Sequence, residues 1–493
     1  FNMKLNSIGN ILLKIFACVF TIVSLYLLFI NITSNYGRLF PMNKLIVVLG
    51  AIIILAILLI LKHIFDRLDD KKLIKISILF GIILLILQVI FVIYCRVKPS
   101  WDFGVIFYDA HRIANSVFEL PEYYYNFYPN NIGALLMYTA LFKCISLFTT
   151  NEIVYLIVGS IFNIIMIDGA LVLTYILVKK VFNLKMATLF SFLSIFIIPL
   201  FAYSPILYTD TTTMIFPVAI LLFLYNYNES KSYYEIWNLI GIGVFGALGV
   251  ILKTNIIIVV VAIIIYILCT NKIIKGLVSN LIILISFLVI FSGYKAIASY
   301  VMPIKYSEAG LPMTHWIMMG LKGDGGYNKE DVDFTSSFKD KEKAKKANIE
   351  EIENRLRDYG FKGYLEFLDK KIKFTWNDGT YYSINKLCRQ PLEDNKVEEY
   401  VIGEKNNIII YIAQMSNLAL IALIFISSIA AFKYRDKHKI VQCVQIAIFG
   451  VFLFLVIWEA RSRYLVCILP MMMFAAIGGL YSLVGGEDHE IYK

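Results

Sequence analysis

Uninterrupted apolar runs, each long enough to cross a bilayer, constrain this chain more than any other feature. A helix rises about 1.5 Å per residue, so roughly 20 apolar residues span a hydrocarbon core about 30 Å thick. Such runs occupy 10–31, 43–62, 74–95, 152–178, 185–202, 212–227, 236–252, 255–271, 276–300, 406–432, 438–458 and 464–485, and 130–148 is apolar enough to enter the membrane. They are continuous rather than alternating, which argues against a β-barrel. The chain is 59% hydrophobic and 17% charged, against roughly 45–50% and about 25% in soluble domains. An ordinary soluble enzyme, a disordered chain and a secreted disulfide scaffold are thereby excluded. The expected fold is an all-α polytopic membrane protein with about 12–13 transmembrane segments.

Charge sets the expected orientation. The formal net charge of +10 points to the positive-inside rule rather than to nucleic acid. The one long polar segment, 301–405, holds 18 Lys and Arg against 19 Asp and Glu, leaving 28 against 17 around the apolar runs. Four basic clusters lie in short loops: Lys62, His63, Arg67, Lys71, Lys72 and Lys75; Lys179, Lys180 and Lys185; Lys272 and Lys275; and Lys433, Arg435, Lys437 and Lys439. All four fall on the cytoplasmic side only if 130–148 and 152–178 cross once in net. The run 130–148 is therefore expected to be re-entrant, or a buried half-helix following interfacial helices. The stretches 96–130, 203–211, 301–405 and 458–463 then share the outer side.

The chain divides into a two-span N-terminal segment (1–73), a membrane module (74–300), a long extracytoplasmic loop (301–405) and a three-span C-terminal segment (406–493). Within the loop a helix is expected over Lys339–Tyr359 with Gly360 as its C-terminal cap. Residues 361–376 mix aromatics with lysines, as in a helix lying on the bilayer surface. Seven cysteines without a CxxC motif suggest neither a metal site nor a disulfide framework.

Candidate chemistry gathers at the outer boundary. Asp102, where the third span ends, could take a proton from an attacking hydroxyl or cap the next helix. Asp109 is a second carboxylate in the same loop. Tyr128 and Asn130, in Tyr123–Asn131, suit a sugar face and its hydroxyls, or an aromatic belt with a helix cap. Asp210 follows the fifth clear span and could equally cap a helix. Glu459, Arg461 and Arg463 sit between two spans, and Lys253 between two apolar runs. Arginine binds phosphate bidentately, and a basic residue at a span suggests function. His315 could neutralise a phosphate, position a sugar or be a structural histidine. No GxxxxGK[ST], HExxH or Gly-rich nucleotide fingerprint occurs, which argues against a nucleotide-activated donor.

An outward span, an Asp-bearing outer loop, Tyr128-Pro129-Asn130, a long outer loop and Glu459-x-Arg461-x-Arg463-Tyr464 before a late span resemble the GT-C membrane glycosyltransferases. The likeness is to the bacterial branch of protein O-mannosyltransferases and aminoarabinose transferases, and its layout covers about 74–485. It departs from that pattern at Phe103, where an acidic residue often follows, and at Tyr128-Pro129-Asn130, where His-Pro-Pro is frequent.

The resemblance implies a polyprenyl-phosphate monosaccharide donor, inversion at the sugar carbon, Asp102 as base, and Arg461, Arg463 and Lys253 on the phosphate. It implies a glycan, a cell-wall polymer such as teichoic acid, or a protein as acceptor, and a multi-pass place in a bacterial plasma membrane among its lipids. No cofactor is required, although a divalent metal could assist. The alternatives are a lipid-linked sugar flippase or polysaccharide exporter, and a polymerase or ligase using a lipid-diphosphate donor.

Overall fold

The computed structural model describes residues 2–117, 122–230, 234–301, 309–392, 394–433 and 439–484. Among them regular structure is helical apart from one isolated antiparallel bridge between Val97 and Pro391. Among the described residues nine helices are long and apolar enough to cross a membrane. Short polar residues start several of them: Asn43, Asp69 and Asn151 each accept a backbone N–H of the first helical turn.

Contacts fix which helix ends lie together. Lys62 and Lys185 both pair with Asp66, at 2.6 and 3.1 Å, so the first two basic clusters meet at one end of the bundle. Tyr225 donates to the Lys180 carbonyl at that same end. At the opposite end Tyr208 reaches Asp102 and Lys253 reaches Asp210. Three shorter paths therefore also connect the two ends: 184–208, broken after Ser194 and resumed at Pro199, then 209–229, then 254–270. With the nine long helices they make twelve paths between the two ends of the bundle among the described residues. Of the fourth basic cluster, Arg435, Lys437 and the side chains of Lys433 and Lys439 lie outside the description.

The segment 130–148 does not cross. Its helix, Ile132–Ile145, has 14 residues, a rise of about 21 Å, too short for a bilayer core. It runs beside the Trp101–Ala114 helix: Asn131 near its start bonds Tyr124, itself bonded to Asp102, and Lys143 near its end bonds the Ala114 carbonyl at 2.9 Å. Both its ends thus stay at the far end of the bundle, and Glu152–Val181 enters from there. With this buried half-helix the clusters at 62–75 and 179–185 share one end, as the charge parity expects of those two.

The long polar segment folds onto that far end. Its main helix, Lys341–Trp376, is interrupted at Gly360, whose φ of +56° is left-handed and suits a residue without Cβ. Beyond the break Phe361 and Leu365 are exposed while Phe367, Lys371 and Trp376 are buried. Trp376, Tyr381, Ile384 and Leu387 belong to the same hydrophobic core as the membrane helices, so this segment is an integral wall of the far end.

Candidate functional site

Asp210 anchors the site. It sits in a one-turn helix, Thr209–Thr212, and is wholly buried. A buried carboxylate is costly unless paired. Here Lys253 approaches at 2.6 Å, Lys386 at 2.7 Å and Arg463 at 3.7 Å. Each comes from a different part of the chain: the break between two spans, a short helix of the long loop, and the turn before the last span. Three cations face one carboxylate, so the cluster carries surplus positive charge. Asp210 is therefore an ionic hub rather than merely a helix cap, and Lys253 is held by it rather than standing free.

Aromatic faces line the cluster. The Lys386 ammonium lies 5.1 to 5.3 Å from the rings of Tyr208, Tyr203 and Trp101, a cation–π setting for a desolvated charge. Burial pushes the Lys386 pKa down to about 8, against the opposing pull of Asp210. Arg463 stacks near Tyr208 and Tyr464.

Asp102 lies one tyrosine away. The helix it belongs to starts after Ser100 with no side-chain cap, so Asp102 does not act as the cap. Among the described residues its carboxylate accepts from Tyr124 at 2.7 Å and from Tyr208 at 3.2 Å. Asn131 in turn donates to the Tyr124 hydroxyl at 2.6 Å. Trp101, just before it, has a φ of +50°, a strained conformation for a bulky residue. Tyr208 thus touches Asp102 with its hydroxyl while its ring faces Lys386 and Arg463.

The other expected residues divide. Asp109 is buried and paired with Arg112 and with the Tyr125 hydroxyl at 3.0 Å, apart from the cationic cluster. Asn130 is exposed, and its neighbour Asn131 occupies the network instead. Tyr128 lies against Tyr124 and Trp316. His315 is buried with Nδ1 2.7 Å from the Thr335 hydroxyl. Burial pushes its pKa down to about 4, which favours the neutral imidazole. Glu459 accepts from Tyr464 rather than from an arginine, and burial raises its pKa.

Arg461 has a different setting from Arg463. Its guanidinium lies 5.4 Å from the Phe374 ring and 4.9 Å from the Tyr382 ring, with no carboxylate paired to it among the described residues. The turn that presents Tyr382 is built by Asp378. This buried carboxyl accepts from the Thr380 N–H and hydroxyl, from the Tyr382 N–H, and from Ser462 at 2.7 Å. Tyr381 and Tyr382 both have left-handed φ, +50° and +67°. Ser462 sits between the two arginines, so Asp378 fixes their register against the loop.

Lys371 lies beneath this region. Its ammonium donates to the Gly320 carbonyl at 2.6 Å, and burial lowers its pKa from 10.5 to about 7. The unfolded chain therefore binds the extra proton between about pH 7 and 10.5, so stability rises with pH through that window. Lys371→Met is expected to remove part of that rise, which thermal unfolding at pH 7 and pH 9 measures.

Lys386, Asp378, Tyr124 and Asn131 join the candidate residues through the fold rather than through any spacing in the sequence. The signal for Lys386 was a lysine in a short aromatic and apolar stretch, Tyr381–Leu387, just after a Trp-Asn-Asp-Gly turn. Among the described residues no three His, Cys, Asp or Glu side chains gather closely enough to hold a metal.

A family model described as conserved hypothetical integral membrane protein matches residues 2–480, and the chain belongs to that family. No curated protein matches it. Among solved structures, the crystal structure of ArnT from Cupriavidus metallidurans bound to undecaprenyl phosphate is similar at 11% identity and a TM-score of 0.37, covering 83% of this chain and 77% of that one.

Proposed function

We propose that this member of the integral membrane family is a GT-C-type glycosyltransferase. It moves a monosaccharide from a polyprenyl-phosphate donor to an acceptor hydroxyl, with inversion, at the outer face of a bacterial plasma membrane. The observation that carries the reading is the cationic excess around Asp210, joined through Tyr208 to Asp102. Fixed cations beside a dissociating phosphate stabilise the charge that grows on it. A carboxylate nearby supplies the base.

The steps balance without a nucleotide. The acceptor oxygen attacks the anomeric carbon and its proton passes to Asp102. The bond between that carbon and the phosphate oxygen breaks, and its electron pair leaves with the lipid phosphate. Tyr124 and Tyr208 orient the carboxylate. Lys253, Lys386 and Arg463 supply the field, and Arg461, with its fork unpaired, takes the phosphate oxygens. A flippase or exporter would use the cations but would need no carboxylate held ready for a proton. The acceptor is a glycan, a cell-wall polymer or a protein.

Arg461 gives the cleanest test of phosphate binding, because Lys253 and Arg463 also stabilise Asp210. Truncating one partner of a hydrogen-bonded charge pair costs about 2–5 kcal/mol. Arg461→Ala should therefore weaken binding of a polyprenyl phosphate by more than tenfold, with thermal unfolding little changed. Unaltered affinity, measured by titration of the purified chain, would remove Arg461 from the phosphate site.

A further inference from the structure

One cation near Asp102 has no place in the donor site just described. Arg389 is exposed, and its guanidinium lies 4.4 Å from the centroid of the Trp101 ring. Among the described residues that guanidinium has neither an ion pair nor a hydrogen bond. Lys386, three residues earlier, lies 5.3 Å from the same indole but is buried against Asp210. One short turn thus sends a buried lysine to the ionic hub and an exposed arginine outward, with the same tryptophan contacting both. The arrangement is built rather than incidental. The segment carrying Arg389 is clamped to the entry of the Asp102 helix: Lys98 donates its N–H to the Gln390 carbonyl at 2.8 Å, and the Leu392 N–H donates to the Arg96 carbonyl at 2.9 Å. Trp101 itself is held at positive φ, directly before Asp102 in the chain.

We infer that Arg389, stacked on Trp101, is a recognition point for a phosphate-bearing acceptor. The inference rests on the transferase reading and adds the acceptor's chemical class. A guanidinium lying on an aromatic ring keeps its in-plane donors free, and its planar fork matches phosphate oxygens bidentately. A phosphate seated there lies beside Trp101, the residue before Asp102 in the chain, and the proposal is that another hydroxyl of the same acceptor reaches that base. The buried cations serve the leaving lipid phosphate, and the exposed one serves the incoming substrate.

The test uses the purified full-length chain in phosphatidylcholine nanodiscs. The probes are an oligo(glycerol phosphate) and a neutral dextran oligosaccharide of equal length, with affinities from calorimetric titration. The wild-type chain is expected to bind the phosphate oligomer at least tenfold more tightly. Arg389→Ala should abolish that preference, Arg389→Lys should restore only part of it, and Lys98→Ala, a nearby exposed charge, should change it little. No preference in the wild type, or a preference that survives Arg389→Ala, would overturn the inference. So would loss of the preference in phosphatidylglycerol nanodiscs, which would make Arg389 a contact for bulk lipid headgroups. Polyprenyl-phosphate binding should be unchanged in Arg389→Ala, and a matching loss there would move Arg389 into the donor site. Failure of the wild type to bind polyprenyl phosphate at all would instead count against the transferase reading.

Discussion

Asp102→Asn is expected to lower glycosyl transfer by about 10²–10⁴-fold, with donor binding and folding retained. The amide keeps the shape of the carboxylate and one oxygen to accept from a tyrosine, but it takes no proton at neutral pH. The helix start does not depend on this side chain, because Asp102 fills no cap. Its two oxygens are instead spent on Tyr124 and Tyr208, the second of which borders the cationic cluster. Asp109 provides the contrast. It is buried against Arg112 and Tyr125, so Asp109→Asn should lower thermal stability more than turnover. Transfer by the two purified variants, with donor affinity measured separately, checks both. Normal turnover in Asp102→Asn would end its assignment as base, and loss confined to Asp109→Asn would move that role to the deeper carboxylate.

Asp210→Ala is the second large effect, and it acts on the fold first. Removing the acidic partner leaves Lys253, Lys386 and Arg463 facing one another in a buried place. Breaking a buried pair by deleting one partner typically costs about 3–5 kcal/mol, and here one deletion unbalances three cations. Asp210→Asn should do nearly as badly, because an amide hydrogen-bonds but does not offset charge. Thermal unfolding of the detergent-solubilised chain should show a marked drop for both variants, while Arg461→Ala stays near the wild type. A wild-type transition in Asp210→Ala would mean that the cluster contributes little to holding the far end together.

The fold was legible because lipid imposes a simple rule: a helix needs a continuous apolar stretch to cross. Length alone would make 130–148 a span; charge parity puts the clusters holding Lys62 and Lys185 on one side, and both lysines are found on Asp66. Gly360 was readable as a break from its residue type, and the structure places its positive φ there. The site was less legible, because its partners are brought together by packing rather than by spacing. Lys253, Asp210 and Arg463 each stood out as charges at span boundaries. Their convergence, and the arrival of Lys386 from 176 residues beyond Asp210, follow only from how the long loop folds into the core. Asn130 and Asn131 show a different limit. Adjacent residues in one turn point different ways, and sequence does not say which of two asparagines faces the tyrosines.

The most direct measurement is a single assay. The purified wild-type chain is supplied with polyprenyl-phosphate monosaccharides carrying a labelled sugar, together with an oligo(glycerol phosphate) acceptor, and free polyprenyl phosphate and labelled acceptor are quantified. Both are expected in equal amounts, and both should fall together in Asp102→Asn. Movement of intact donor across the bilayer of reconstituted vesicles, with the bond between sugar and phosphate unbroken, would contradict it and identify the chain as a flippase.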